Sequence, residues 1–425
     1  MGKLKKAAII TMVAMGAVFL TACGATKNSS APKEVKFFNG KVESVKVMDQ
    51  FIKEFNKENP KYKVVQEFNK DASSALTTKF ASGDVPDIVS AQITQDYIDQ
   101  GLFEDLSGDS DLWKNADPSV KDMLTDVKSG KQYQVALTKS IGGVFYNKDL
   151  VSDVKTDNWT DFIDSIKTTK SDVTPMFLGG GGSDSWTLGQ LMDLWGFGQI
   201  EQNYSYVEAT KKFISNDQEV LNFAAADGPI NVFADRLMSM KKDGIINSNA
   251  ATASYNDQIT AFATGKAVTM PQGIWALSLV LEQNPKLNIG FAAFPPMKEG
   301  EKPVVLSSVD STMGIPSKAK NSAGAKAFIK FLLKAENLKK YSETLKLPSA
   351  YSNVESSWVA DPATFDDVIN NKENVPIAFA TYPSSFQSGD SGTMVQGLLA
   401  GQYSDTADFT KAYVTAWNKA WEAAE

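Results

Sequence analysis

Residues 132–150 read QYQVALTKSIGGVFYNKDL, and this stretch decides how the chain passes through the fold. Apolar and polar side chains alternate over residues 133–137, which is the period-two pattern of a half-buried β-strand. Gly142 and Gly143 follow, and they predict a break in the strand because glycine adopts backbone angles that other residues resist. An apolar run then resumes, and the final NKDL can begin a helix. We interpret the stretch as a hinge that carries the chain between two α/β lobes.

The composition excludes several classes of function. The chain has 425 residues, of which 43% are hydrophobic and 22% charged, so it is too long for one compact core and suits two lobes. It has no histidine, which excludes Ser-His-Asp and Cys-His catalysis and nearly all transition-metal sites. Arg236 is the only arginine, which disfavours a ligand with phosphate or carboxylate groups. The net charge of −7 argues against a nucleic-acid partner.

The start of the chain has the pattern of a lipoprotein signal. Three lysines among the first six residues precede an apolar run at 7–20, which is too short to span a bilayer. The run ends in LTACG, which matches the bacterial lipobox, so we expect residues 1–22 to be a signal peptide and Cys23 to carry a lipid. Cys23 is the only cysteine, so it has no internal disulfide partner. Residues 23–33 are small and polar, as in a flexible tether, and we expect an anchor on the outer face of a Gram-positive cell membrane.

The residues after the tether predict an α/β sheet. Residues 34–38 alternate as a strand, apolar side chains recur at helical spacing over 45–56, and residues 62–68 form a second strand. Strand–helix–strand order is typical of a parallel sheet. Further along, the GGGGSDS run at 179–185 is more typical of a flexible loop than of a dinucleotide-binding motif, since no acidic residue ends a following strand. We expect this loop to present Trp186 to a site.

Several motifs, in this order along the chain, resemble those of extracellular solute-binding proteins that serve sugar ABC importers. The segments that carry the resemblance are LTTKFASGDVPDIVSA at 76–91, GGVFYNKDL at 142–150, AFATGKAVTMPQGI at 261–274 followed by Trp275, VDSTMGIPSK at 309–318 and LPS at 347–349. Each motif is loose when taken alone, but their order and spacing extend over essentially all of the chain after the tether.

The resemblance implies a periplasmic-binding-protein-like fold. In this α/β architecture, two discontinuous lobes are joined by a hinge of three segments. We expect residues 34–144 and 293–345 to form lobe 1, and residues 145–292 and 346–425 to form lobe 2. Bound ligand would lie in the cleft between the lobes and stabilise a closed state through its higher affinity for that state.

A sugar site needs flat apolar faces for the C–H surfaces and polar side chains for the hydroxyl groups. Position by position, the resemblance implies that the ligand-binding residues are Asn39, Gln92, Ser140, Trp186, Trp275, Asp310 and Tyr382. For the polar residues the alternative is a solvated loop side chain. For Trp186 and Trp275 the alternative is a tryptophan that packs only in the core.

The resemblance implies a lipid-anchored component of an ABC importer that binds a sugar, in particular an oligosaccharide, and delivers it to the permease subunits. Two alternatives stay open. A cationic ligand such as a polyamine would use the same scaffold with several carboxylates. A secreted glycoside hydrolase would need two carboxylates ~5 to 10 Å apart, for which Asp184, Asp310 and Asp390 are candidates. We expect a monomer without catalytic residues, cofactor or metal ion.

Overall fold

The computed structural model describes residues 31–354, 365, 374–376, 382–383, 386 and 388–424. The predicted signal peptide, the lipidation of Cys23 and most of the tether therefore lie outside the described residues. Within these ranges, no helix is long and apolar enough to cross a membrane.

The described strands form one mixed sheet of nine strands. They are β1 (Lys33–Asn39), β2 (Tyr62–Phe68), β3 (Ile88–Ser90), β4 (Gln134–Asn147), β5 (Thr174–Met176), β6 (Ala267–Gly273), β7 (Ile289–Ala292), β8 (Val305–Gly314) and β9 (Asn374–Pro376). The order is β2-β1-β3-β8-β4-β6-β5, with β7 paired to β4 and β9 paired to β8. The strands β1 to β3 are parallel to one another, as are β5 and β6.

The α-helices pack around this sheet. Those of the first part of the chain are Val45–Glu58, Ala72–Ser82, Gln95–Asp99, Ser110–Trp113, Pro118–Met123, Trp159–Ile166, Trp186–Leu191 and Gly198–Glu201. Those of the second part are Tyr206–Ile214, Gln218–Leu221, Pro229–Lys242, Tyr255–Ala263, Leu277–Gln283, Ser322–Leu332, Ala335–Leu345, Ser388–Ala400 and Thr406–Ala424. A π-helical turn, Met192–Phe197, links two of them.

The predicted strand–helix–strand opening is confirmed. The strands β1 and β2 pair in parallel with Val35 opposite Val64, and the helix Val45–Glu58 connects them. The helix buries one apolar stripe that includes Phe51 and Phe55, and the ring of Phe55 lies 5.1 Å from that of Phe328. Because the buried side chains follow the helical period of the sequence, the pattern alone was sufficient to predict the stripe, although not its contact with Phe328.

The predicted glycine break in the hinge stretch is wrong, since β4 continues through it as a single strand of 14 residues. The two glycines are explained by close packing. A Cβ atom on Gly143 would lie 2.5 Å from the carbonyl oxygen of Ala292, and one on Gly142 would lie 2.8 Å from the side chain of Leu194. Larger residues would therefore collide with elements packed on the strand.

The long strands β4 and β8 join the two parts of the sheet. The first part of β4 pairs with β8, and its last residues pair with β6 and β7. A large cluster of buried side chains extends along both parts, and a smaller one around Phe38 and Leu76 lies beside β1 and β3. The carboxyl ends of β1, β2 and β3 therefore lie on one side of the central strands, and those of β5 and β6 on the other.

Candidate ligand-binding cleft

A cavity of about 620 Å³ lies between the loops at these two sets of strand ends. The first wall comes from residues 40–43, 70–76 and 90–97, which follow β1, β2 and β3. The second wall comes from residues 182–190 after β5, from Tyr255 and Trp275, and from part of the helix Ser388–Ala400, while β8 lines the region between the walls. Ligands bind at the carboxyl ends of strands in open α/β sheets, and the volume lies in the usual range for small-molecule sites.

The second wall includes the aromatic side chains of Trp186, Tyr255 and Trp275. The rings of Trp186 and Tyr255 meet edge to face, with centroids 5.0 Å apart. The indole N–H of Trp275 donates to Oε1 of Gln272 at 3.1 Å. A Cβ atom on Gly273 would lie 1.9 Å from the Trp275 ring, so the glycine is needed for the ring to occupy its position. Such fixed ring faces suit the apolar C–H surfaces of a ligand.

A partly buried ion pair crosses the base of the cleft. Nζ of Lys41 lies 2.9 Å from Oδ1 of Asp310 and 4.0 Å from Oε2 of Glu43. Burial by itself would lower the pKa of Lys41, but the carboxylates of Asp310 and Glu43 outweigh it and raise that pKa. The hydroxyl of Ser311 donates to Asp310 at 2.8 Å. The ammonium group therefore stays charged and is held in place by its partners.

Hydrogen bonds and a looser ion pair join the two walls. The hydroxyl of Tyr255 on the second wall donates to Oε1 of Glu43 on the first at 2.9 Å. Burial, and then the neighbouring Glu43 carboxylate, raise the pKa of Tyr255 well above its usual value, so the hydroxyl keeps its proton. Nζ of Lys70 lies 3.8 Å from Oδ1 of Asp184. Tyr206 also donates across the cleft to the carbonyl oxygen of Met123 at 2.9 Å.

Four of the predicted site residues line this cavity: Gln92, Trp186, Trp275 and Asp310. Gln92 follows β3 directly, and Asp310 lies on β8. Trp275 is 7% exposed and also belongs to the large buried cluster. Trp275 therefore lines the cavity and packs in the core at the same time, so the two alternatives for this residue do not exclude each other.

Asn39 and Ser140 lie outside the cavity lining. Asn39 is buried at the end of β1, where its side chain donates to Gln66 at 2.8 Å and accepts from the backbone N–H of Lys41 at 2.9 Å. Its role is to shape the loop that carries Lys41. Ser140 is buried within β4 opposite Ser308, and its hydroxyl has no hydrogen-bond partner among the residues that the structure describes.

Tyr382 also lies away from the cavity. Its side chain is buried among aromatic rings, with centroids 5.3 Å from Phe213 and 5.1 Å from Trp417. The resemblance placed it in a loop rich in proline and serine that would reach the ligand. The structure packs it against the last helix and outside the cavity lining.

The sequence interpretation missed the residues that connect the walls. Lys41 and Glu43 come directly after β1, so their position at a strand end was a usable signal. Tyr255 begins a helix capped by Ser254, and that pattern only predicts a helix start. Among the described residues, no group of three or more His, Cys, Asp or Glu side chains could hold a metal ion.

Several known proteins are similar to this chain. A multiple sugar-binding protein of Streptococcus mutans is 28% identical over 361 residues, which are 82% of this chain and 83% of that protein. The structure of RafE in complex with raffinose has a TM-score of 0.75 and 23% identity, and the match covers 91% of this chain and 99% of that one.

A sugar transporter of Bacillus licheniformis, solved in complex with stachyose, has a TM-score of 0.77 and 21% identity over 91% of this chain and 100% of that one. At these identities the similarity concerns the fold, and it confirms the predicted two-lobe α/β architecture. The predicted lobe boundaries stay predictions. Residues 39–339 match the profile of one family. Since this match covers well over half of the chain, the chain belongs to the bacterial extracellular solute-binding proteins, which bind solutes and are not enzymes.

Proposed function

We propose that this protein binds an oligosaccharide in the cleft and delivers it to the permease of an ABC importer. The observation that carries the proposal is the arrangement of Trp186 and Trp275 beside the Lys41–Asp310 pair in one cavity. Aromatic faces can cover the C–H surfaces of a sugar, while charged and polar groups accept hydrogen bonds from its hydroxyl groups or donate to them. The relatives support this choice, because one is named for sugar binding and two structures hold raffinose or stachyose.

The polyamine alternative fits the cleft less well. A polyamine would need carboxylates that are free to pair with its ammonium groups. Asp310 and Glu43 already surround the ammonium group of Lys41, and Asp184 faces Lys70. A polyamine, which pairs through several ammonium groups, would therefore find three of the five cavity carboxylates already facing a lysine. The glycoside hydrolase alternative is set aside because the family consists of binding proteins.

A thermal-shift panel followed by calorimetric titration tests the proposed ligand class. The panel contains raffinose, stachyose, maltotriose, spermidine and buffer. We expect at least one sugar to raise the melting temperature and spermidine to leave it unchanged, because only a ligand that prefers the folded state stabilises it. Trp186→Ala should abolish the shift, whereas Trp113→Ala, which lies outside the cavity lining, should retain it. Stabilisation by spermidine alone would contradict the proposal.

We further propose that Cys23 carries the lipid that anchors the protein outside the cell membrane. Two or more acyl chains hold a protein firmly on a bilayer, whereas one chain binds only marginally. In a bacterial host, Cys23→Ala should therefore release the protein from the membrane fraction and leave it folded. Intact-mass measurement should show loss of residues 1–22 and a lipid adduct in the wild-type protein only. Membrane retention of Cys23→Ala, with an unprocessed wild-type mass, would contradict the assignment.

A further inference from the structure

The charges that line the cleft are unequal. The cavity is lined by five carboxylate side chains and two lysines, and it has no arginine in its lining. The carboxylates are those of Glu43, Asp71, Asp184, Asp310 and Asp390, and the lysines are Lys41 and Lys70. The lining therefore carries three more formal negative charges than positive ones.

Both lysines already face carboxylates of the chain. Lys41 lies 2.9 Å from Asp310 and is also close to Glu43. Lys70 lies 3.8 Å from Asp184. Asp71, in contrast, forms no ion pair among the described residues, and its exposed side chain adds negative potential at the cavity. An incoming carboxylate would therefore meet paired cations and an unpaired acid.

The only arginine of the chain is engaged elsewhere. The guanidinium of Arg236 donates to the carbonyl oxygen of Met297 at 2.7 and 3.1 Å and lies 4.7 Å from the centre of the Trp159 ring. Arginine is the side chain best suited to hold a carboxylate through two parallel hydrogen bonds. The cleft thus lacks the group that recognition of an acidic ligand would use.

From this distribution we infer that the cleft rejects acidic sugars, such as oligosaccharides containing uronic acids, and accepts neutral and amino sugars. The inference rests on the proposed function and narrows its substrate class. The physical cause is repulsion between a ligand carboxylate and the excess negative charge of a partly desolvated cavity, where charges interact more strongly than in water. Because part of the lining is open to solvent, salt should weaken the repulsion.

A matched set of raffinose derivatives tests the inference. The primary hydroxyl of the galactose unit is converted to a carboxylate, to the neutral carboxamide of nearly the same shape, or to an amine. Comparison of the carboxylate with the carboxamide isolates charge from size. We expect the carboxamide to bind roughly tenfold or more tightly than the carboxylate at low salt, with the ratio falling as salt rises. The amine should bind at least as tightly as the carboxamide.

Charge reversal at one position provides a second measurement. Asp71→Lys changes the charge at the cavity without breaking an ion pair, and it should reduce the ratio of carboxamide to carboxylate affinity. Asp157→Lys makes the same change in net charge at an exposed residue outside the lining, and it should leave the ratio unchanged. Equal reductions in both variants would overturn the assignment of the effect to the cleft.

The outcomes distinguish this inference from the proposed function. If the carboxylate binds as tightly as the carboxamide in the wild-type protein, the charge selectivity is wrong while sugar binding stands. If neither raffinose nor any of its three derivatives binds, and no sugar of the thermal-shift panel does, both proposals are wrong.

Discussion

The substitution Tyr255→Phe removes one oxygen atom from the cleft and keeps the aromatic ring against Trp186. The lost contact is the 2.9 Å hydrogen bond to Oε1 of Glu43 on the opposite wall. Tyr255 is 4% exposed and the Glu43 side chain 5%, so water has little access to replace the donor. A hydrogen bond to a charged acceptor contributes ~1.5 to 3 kcal/mol. This free energy corresponds to roughly a 10- to 150-fold change in an equilibrium constant.

Because the bond joins the two walls, its loss should destabilise the state in which the walls meet. If that state is the one that holds the ligand, the dissociation constant of Tyr255→Phe should rise by up to this factor. Calorimetric titration with raffinose, or with the sugar that the thermal-shift panel identifies, measures the change. Tyr351→Phe is the matched control, since its hydroxyl donates to the carbonyl oxygen of Leu112 at 2.8 Å outside the cavity lining.

The control should lose thermal stability and keep its affinity. The reasoning is refuted if Tyr255→Phe binds as tightly as the wild-type protein and loses only as much stability as Tyr351→Phe. That result would mean that the hydrogen bond between the walls stabilises the fold and does not contribute to ligand binding. Small-angle scattering gives an independent measurement, because loss of the bond should increase the radius of gyration of the unliganded protein.

Three further predictions follow from the burial and charge of particular groups. Trp275→Ala should weaken sugar binding by ~2 kcal/mol or more, which calorimetry measures. Since Trp275 is 7% exposed, the substitution should also lower the unfolding free energy by about 3 to 5 kcal/mol, which a denaturant titration measures. Affinity should be constant between pH 6 and 8, because the chain has no histidine and the pKa values of Lys41 and Tyr255 are both raised; a tenfold change would instead indicate a charged ligand. Hydrogen bonds from Ser107, and then the Lys131 ammonium, lower the pKa of Asp105 from 3.8 to about 2. The stability that these contacts provide should therefore persist above pH 4 and be lost as the pH falls towards 2. Melting curves measured across this range should show the loss, and the loss should be smaller in Asp105→Asn.

The parts of the fold that the sequence predicted are those whose contacts repeat along one element. The helix Val45–Glu58 was predicted within two residues because its buried side chains recur at helical spacing. The continuity of β4 was not predictable in this way. By local preference, Gly142 and Gly143 predict irregular backbone. In the structure, glycine is needed at these positions because Leu194 and Ala292, from distant parts of the chain, pack closely against them. A single sequence carries no signal for those neighbours.

The same distinction explains the site. Trp186 and Trp275 follow glycine-containing segments at strand ends, so a motif could place them at the cavity. Asn39 lies outside the cavity lining and Lys41, two positions later, lies in it, because the loop after β1 turns Lys41 inward, and the strand end alone does not predict that turn. Tyr382 was assigned from the resemblance, while its burial depends on contacts with the last helix, for which its own loop gives no signal.

Ligand binding and the meeting of the two walls are coupled because the same side chains carry both. Tyr255 contacts Glu43 through its hydroxyl and Trp186 through its ring, and both partners line the cavity. Glu43 in turn lies near Lys41, whose ammonium group holds Asp310. A ligand that orders any member of this chain of contacts favours the others. By linkage, a change that weakens the bond between the walls lowers ligand affinity by up to the same free energy. The same network explains why the charge of the cavity should affect ligand selectivity as well as closure. Lys41 and Lys70 each face a carboxylate, so their positive charges are already offset. The remaining negative charge of the lining therefore acts on the bound ligand.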